Sequence, residues 1–153
     1  MATVYKGLSH TLSALSEQKV WVVDTRVFDW LTSISKVGWF LVLNKLDITV
    51  RKALKDSRMS KLTLIGHSQG GVLARLYLRP ESFMGKRFYG IDQIDHFITL
   101  GSPHLNQGGV QRGGYMSRWI ERNVPGSAFS ARVRYTSVAG KYIRGNATGK
   151  RYE

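Results

Sequence analysis

The sequence predicts an α/β domain, a parallel sheet with flanking helices, and three observations carry that prediction. Helical and strand periodicities alternate along the chain. The strand segments are short, rich in β-branched residues, and end at glycines or turns. Finally, 153 residues with 42% apolar and 11% aromatic content suffice for one buried core without cysteine cross-links.

Leu8, Leu12 and Leu15 recur at helical spacing and predict a helix over residues 5–17. Lys19–Val23 is a β-branched run closed by Asp24-Thr25, and so reads as the first strand. Leu46, Val50 and Leu54, interleaved with Lys45, Arg51, Lys52 and Lys55, predict an amphipathic helix over 44–57. Lys61–Ile65 reads as a buried strand because Leu62, Leu64 and Ile65 leave little polar surface. A helix over 69–79 rests on Val72, Leu73, Leu76 and Tyr77 and is stopped by Pro80. Ile94–Leu100 is a further strand ending at Gly101, Tyr115–Arg122 a helix ended by Asn123–Gly126, and Val133–Ala139 the last strand. About four strands joined through helices require right-handed crossovers, and in such sheets chemistry gathers at the carboxyl ends of the strands. No internal repeat, low-complexity tract or linker divides the chain.

The balance of 23 Lys+Arg against 10 Asp+Glu gives a net charge of +13, and residues 111–153 alone carry 9 basic and 2 acidic side chains. Such an excess is a solvated surface or a face for polyanions. No Cys/His finger, glycine-aromatic strand signature or basic zipper accompanies it, so nucleic acid is not an expected partner, whereas an anionic membrane surface is a candidate one. The absence of cysteine excludes disulfides, thiolate metal sites and a cysteine nucleophile. No stretch approaches the ~20 apolar residues of a membrane span. The longest apolar run lies within Val37–Leu43. It reads either as the cover of an acyl pocket or as the buried start of the helix that continues to residue 57. The first thirty residues lack a signal-peptide layout, which favours an intracellular setting.

The sharpest motif is Gly66-His67-Ser68-Gln69-Gly70-Gly71, between the strand expected at 61–65 and the helix expected at 69–79. It matches the G-x-S-x-G nucleophile elbow in the strand–turn–helix setting that motif requires. A serine exposed on so tight a turn must take a strained conformation at positive φ. Strand and helix pass so closely that Gly66 and Gly70 are expected to be needed for clearance. The Gln69 N–H, in the first turn of the helix, points where an oxyanion would form. The plainer reading is a glycine-rich turn with an incidental serine. A phosphate-binding loop is excluded, because no Lys-Ser/Thr follows the glycines. His67 should face away from the Ser68 hydroxyl, since adjacent side chains at a strand end alternate, and is assigned to packing or hydrogen bonding at the elbow.

Gly101-Ser102-Pro103-His104 follows the next strand, and with it the chain resembles the α/β-hydrolase superfamily in its lipase-like branch. Phe28-Asp29-Trp30, Leu64–Gly71, Asn123–Gly126 and Ser137–Gly140 recur in the same order and extend the resemblance over roughly residues 5–145. The resemblance implies a serine hydrolase of carboxylic esters, lipid or small, that works through an acyl-enzyme on Ser68 without metal or cofactor. It also places His104 as a loop residue beside the pocket. Such enzymes order their triad Ser…Asp/Glu…His. After His104, however, this sequence has no aspartate or histidine, and only Glu121 and Glu153 as carboxylates. Asp92, Asp95 and His96 lie at the start of a strand, about 16 Å from its far end. The front of the chain also lacks the strand and loop that supply a second oxyanion donor. The expectation is therefore an internal part of an α/β-hydrolase domain, with acid, base and second oxyanion donor elsewhere. Readings from other classes are a non-catalytic interaction protein that retains the fold, and a basic binding module.

Overall fold

The computed structural model describes residues 2–26, 28–29, 35–104 and 114–140. In chain order the elements are α1 (Ala2–Ser16), α2 (Lys36–Ser57), β1 (Leu62–His67), α3 (Gln69–Leu78), α4 (Gly90–Gln93), β2 (Ile94–Leu100), α5 (Gly114–Asn123) and β3 (Arg134–Val138). The three strands form one parallel sheet in the order β1-β2-β3. This is a partial α/β-hydrolase architecture with three described strands where the sequence predicts about four.

The missing strand is Lys19–Val23, which takes no strand pairing. A β-branched run suits a pleated surface, but it becomes a strand only where another strand offers its backbone, and none does among the described residues. Val22 is instead 36% exposed. A second correction concerns β1. Leu62, Leu64 and Gly66 turn toward the helices, while Thr63, Ile65 and His67 are exposed, so the strand alternates and is not buried on both faces.

Helix α2 begins eight residues before the predicted start at 44. Ser35 caps it, its hydroxyl accepting from the Gly38 N–H at 3.1 Å. Arg58, at φ 57°, ends it. The apolar run at 37–43 is thus helical. Trp39, Val42 and Leu43 are its core residues, while Val37 and Leu41 face outward.

Helix α3 is the centre of the molecule: residues 71–78 are all buried, and the helix touches β1, β2, α2, α4 and α5. A helix that is apolar almost all round belongs inside. Val72, Leu73 and Leu76 meet Trp39, Leu43 and Leu46 of α2, Ile94 and Phe97 of β2, and Ile120 of α5 in one cluster. Within it, the Tyr77 hydroxyl donates to Gln93 Oε1 at 2.6 Å and to Asp47 Oδ1 at 3.3 Å. Asp47 also accepts from Arg51 and Lys86, and Lys86 donates in turn to Asn44. Burial, and then the Asp47 charge, push the Tyr77 phenol far above its ordinary range, so it stays protonated and can donate. This network ties α2, α3 and α4 together with its buried polar atoms satisfied.

Candidate active site

Ser68 sits between the last residue of β1 and the first of α3, at φ 52° and ψ −128°. A non-glycine residue rarely adopts such a conformation, so the chain around it must hold it there. The Ser68 N–H donates to the Leu100 carbonyl at the end of β2 (2.9 Å), and the Ser68 carbonyl accepts from the Gly71 N–H (3.1 Å). Both backbone groups are therefore fixed while the side chain makes no capping hydrogen bond and stands exposed.

Gly66 is needed as the sequence suggested: a Cβ there would lie 2.6 Å from the Gly71 Cα. Gly70 is not, for nothing lies within 4 Å of the Cβ it lacks. Its expected part falls to Gly71, whose missing Cβ would be 2.0 Å from Ser102 Oγ and 2.8 Å from Ser102 Cβ. The first turn of α3 thus leans on β1 at Gly71, and the space so left receives Ser102 from the loop after β2. Gly101, at φ 53°, turns that loop, and its N–H donates to the Val138 carbonyl at the end of β3. Ser102 Oγ in turn donates to the Gly66 carbonyl at 3.4 Å.

The Gln69 N–H lies at the start of α3, where helix donors have no partner within the helix. Its side chain reaches away, Nε2 donating to the buried Ser117 Oγ of α5 at 2.8 Å. His67 is exposed, and Nδ1 bonds the Tyr5 hydroxyl of α1 at 2.8 Å with the two rings edge to face. His104 is half-buried. The Thr99 hydroxyl donates to Ser137 (3.2 Å), so His104 Nε2 acts as donor to Thr99 Oγ1 at 3.1 Å. Its Nδ1 is then a buried acceptor with no partner among the described residues. Burial, followed by the Arg75 charge, lowers the His104 pKa below its ordinary value.

Arg75 was not singled out from the sequence, yet it holds this end of the sheet together. Only 2% exposed, it donates through Nε (3.0 Å) and Nη2 to the Val124 carbonyl and through Nη1 (3.2 Å) to the His104 carbonyl. The signal was present: a lone arginine in a helix with Val72, Leu73, Ala74, Leu76, Tyr77 and Leu78 has no solvated face to occupy.

The groups expected at the far end of the sheet are there. Thr63 of β1 pairs with His96 and His67 with Leu100, so His96 lies four residues, or about 13 Å, back along the sheet from the elbow. Its Nε2 bonds Thr136, and Asp92 is paired with Arg132 at 2.7 Å. Of the four histidines, none hydrogen-bonds Ser68 among the described residues. An open cleft of about 540 Å³ lies apart from the elbow, lined by residues that include Phe28, Asp29, Lys45 and Ile48. Trp30, part of the Phe28-Asp29-Trp30 resemblance, falls outside the described residues.

Residues 4–153 match the model of a family described as palmitoyl protein thioesterase. The chain belongs to that family. It is of α/β-hydrolase type, the superfamily that the elbow indicated. A curated relative, "Triacylglycerol lipase OBL1" of Nicotiana tabacum, is 31% identical over 123 residues, which cover 76% of this chain and 19% of that protein. The chain therefore spans about a fifth of the relative's length. No solved structure matches.

Proposed function

We propose that this chain carries the nucleophile of a lipase- or thioesterase-like serine hydrolase. The observation that carries the reading is Ser68 at φ 52° on the strand–helix turn, exposed and free of any capping bond. In this reading Ser68 Oγ attacks the acyl carbonyl of a lipid ester or thioester. Its proton passes to a base, and the Gln69 N–H stabilises the oxyanion. The bond to the alcohol or thiol leaving group then breaks, that group takes up the proton, and water releases the acyl chain from Ser68. The family's description and the relative's name both support a fatty-acyl substrate.

The reading takes no base from His67, His96 or His104, which are engaged with Tyr5, Thr136 and Thr99 and do not hydrogen-bond Ser68. The reading therefore assigns acid, base and second oxyanion donor to sequence outside these 153 residues. His67 and His104 line the site without proton transfer: His67 docks α1 at the elbow, and His104 shapes the loop after β2. Losing a triad member costs about 10⁴-fold in rate. Residues 1–153 alone should accordingly hydrolyse p-nitrophenyl butyrate or a palmitoyl thioester barely above background. Vigorous turnover that Ser68→Ala abolishes would show that these residues hold a base of their own. Vigorous turnover that survives Ser68→Ala would remove the nucleophile assignment.

A further inference from the structure

The outward face of α2 is used neither by the core nor by the Ser68 site. Val37, Leu41 and Ile48 are 55%, 49% and 66% exposed. At 100° per residue they fall within one sector about 40° wide. Lys52 and Lys55 continue the same line toward the end of the helix, both exposed and neither in an ion pair among the described residues. Phe28, 73% exposed, shares the open cleft with Ile48.

The position of the face follows from the chain path. Arg58 ends α2, and β1 begins at Leu62, so the helix finishes at the amino end of the sheet and starts toward the end that bears Ser68. Its 22 residues rise about 33 Å, against about 20 Å for the six of β1. The turns carrying Val37 and Leu41 therefore lie at the end of α2 remote from its junction with the amino end of β1.

We propose that this face docks on an anionic phospholipid membrane. Val37, Leu41, Ile48 and Phe28 enter the interfacial layer, and Lys52 and Lys55 meet the headgroups. Charge complementarity decides the occupant. The chain carries +13, and α2 itself holds five basic residues against two carboxylates, Asp47, paired with Arg51 and Lys86, and the exposed Asp56 beside Lys52 and Lys55; Asp29 is paired with Lys45. Lys45 and the Arg26 N–H hold the Asp29 carboxyl below its usual range, so this pair stays ionised. A helix with an apolar stripe and lysines on one outward face has the pattern of a surface-lying amphipathic helix. The proposal rests on the lipid-ester reading for its purpose, since it would bring the Ser68 end of the sheet toward acyl substrate.

The test is cosedimentation of residues 1–153 with phosphatidylcholine vesicles, with and without phosphatidylglycerol. Binding should require the anionic lipid. Leu41→Asp with Ile48→Asp should weaken it tenfold or more. At roughly fivefold per lysine, Lys52→Gln with Lys55→Gln should weaken it ~25-fold. Lys6→Gln with Arg134→Gln, the same charge loss at other exposed sites, should change it less than twofold. All these side chains are solvent-exposed, and melting curves will verify that the variants keep the fold. The proposal is overturned if the wild-type chain ignores anionic vesicles, if the control pair loses as much as the α2 pair, or if the apolar substitutions leave binding intact. It is equally overturned if those substitutions instead dissolve a self-associated species, which would make a second copy the occupant. Ser68→Ala should bind like wild type, so failure of the catalytic reading and failure of the membrane face are separable.

Discussion

At the carboxyl end of the sheet Ser68 is exposed with its side chain uncapped, whereas at the amino end Asp92 is held by Arg132 and His96 by Thr136. A serine at one end and a histidine and carboxylate at the other are residue types that hydrolytic sites combine, but here they lie about 13 Å apart along the strands. The difference teaches that residue type does not make a site. At one end the backbone is strained and the polar side chains lock loops; at the other the charges satisfy each other at the surface. His104 and Arg75 belong to the first kind, since both use their polar atoms to fasten the loops that frame Ser68.

The largest effect that would break this contrast is steric. Gly66→Ala forces a Cβ against the Gly71 backbone, where no side chain can yield, and should cost about 3 kcal/mol in a denaturant or thermal melt. A cost near zero would mean that the strand and helix do not approach as described. Next comes Arg75→Met, which leaves the Val124 and His104 carbonyls without their charged donor and should cost about 2 kcal/mol. Substitution of Arg132, the exposed partner of Asp92, should stay within about 0.5 kcal/mol. Equal losses at the two arginines would erase the distinction between the ends.

A smaller effect is pH-dependent. The folded pKa of His104 lies below its unfolded value near 6.5, so the unfolded chain binds the proton more readily. The stability contributed by neutral His104 is complete above pH 6.5 and is lost as pH falls toward the folded pKa. Melts between pH 8 and 5 should show this decline, and His104→Gln should flatten it. An unchanged slope in that variant would assign the decline to other groups. Another small effect has the opposite sign: Gly70→Ala adds a methyl into open space on a helix and should stabilise by about 0.5–1 kcal/mol.

The elbow was legible in the sequence because tight turns restrict residue type: a strand, a glycine, an exposed serine and a following helix leave few alternatives. Which of the two later glycines meets β1 was not legible. That depends on how the first turn of α3 rolls against the strand, and the roll is set by Ser102, 31 positions on from Gly71. The early start of α2 was legible only as one of two readings, because 37–43 is almost continuously apolar and a run without polar interruptions shows no period. Lys19–Val23 failed for the converse reason, since its composition suits a strand but pairing is decided by a neighbour that composition does not report. The four-residue α4 was too brief to leave a pattern.

We propose that Ser68, of the described serines, is the one presented for covalent chemistry. Reaction of the folded chain with a fluorophosphonate, followed by peptide mapping, tests it most directly. The account predicts one adduct, on Ser68, slow in residues 1–153 and absent from Ser68→Ala. Label spread evenly over other exposed serines such as Ser16 and Ser60, or unchanged in Ser68→Ala, would contradict it.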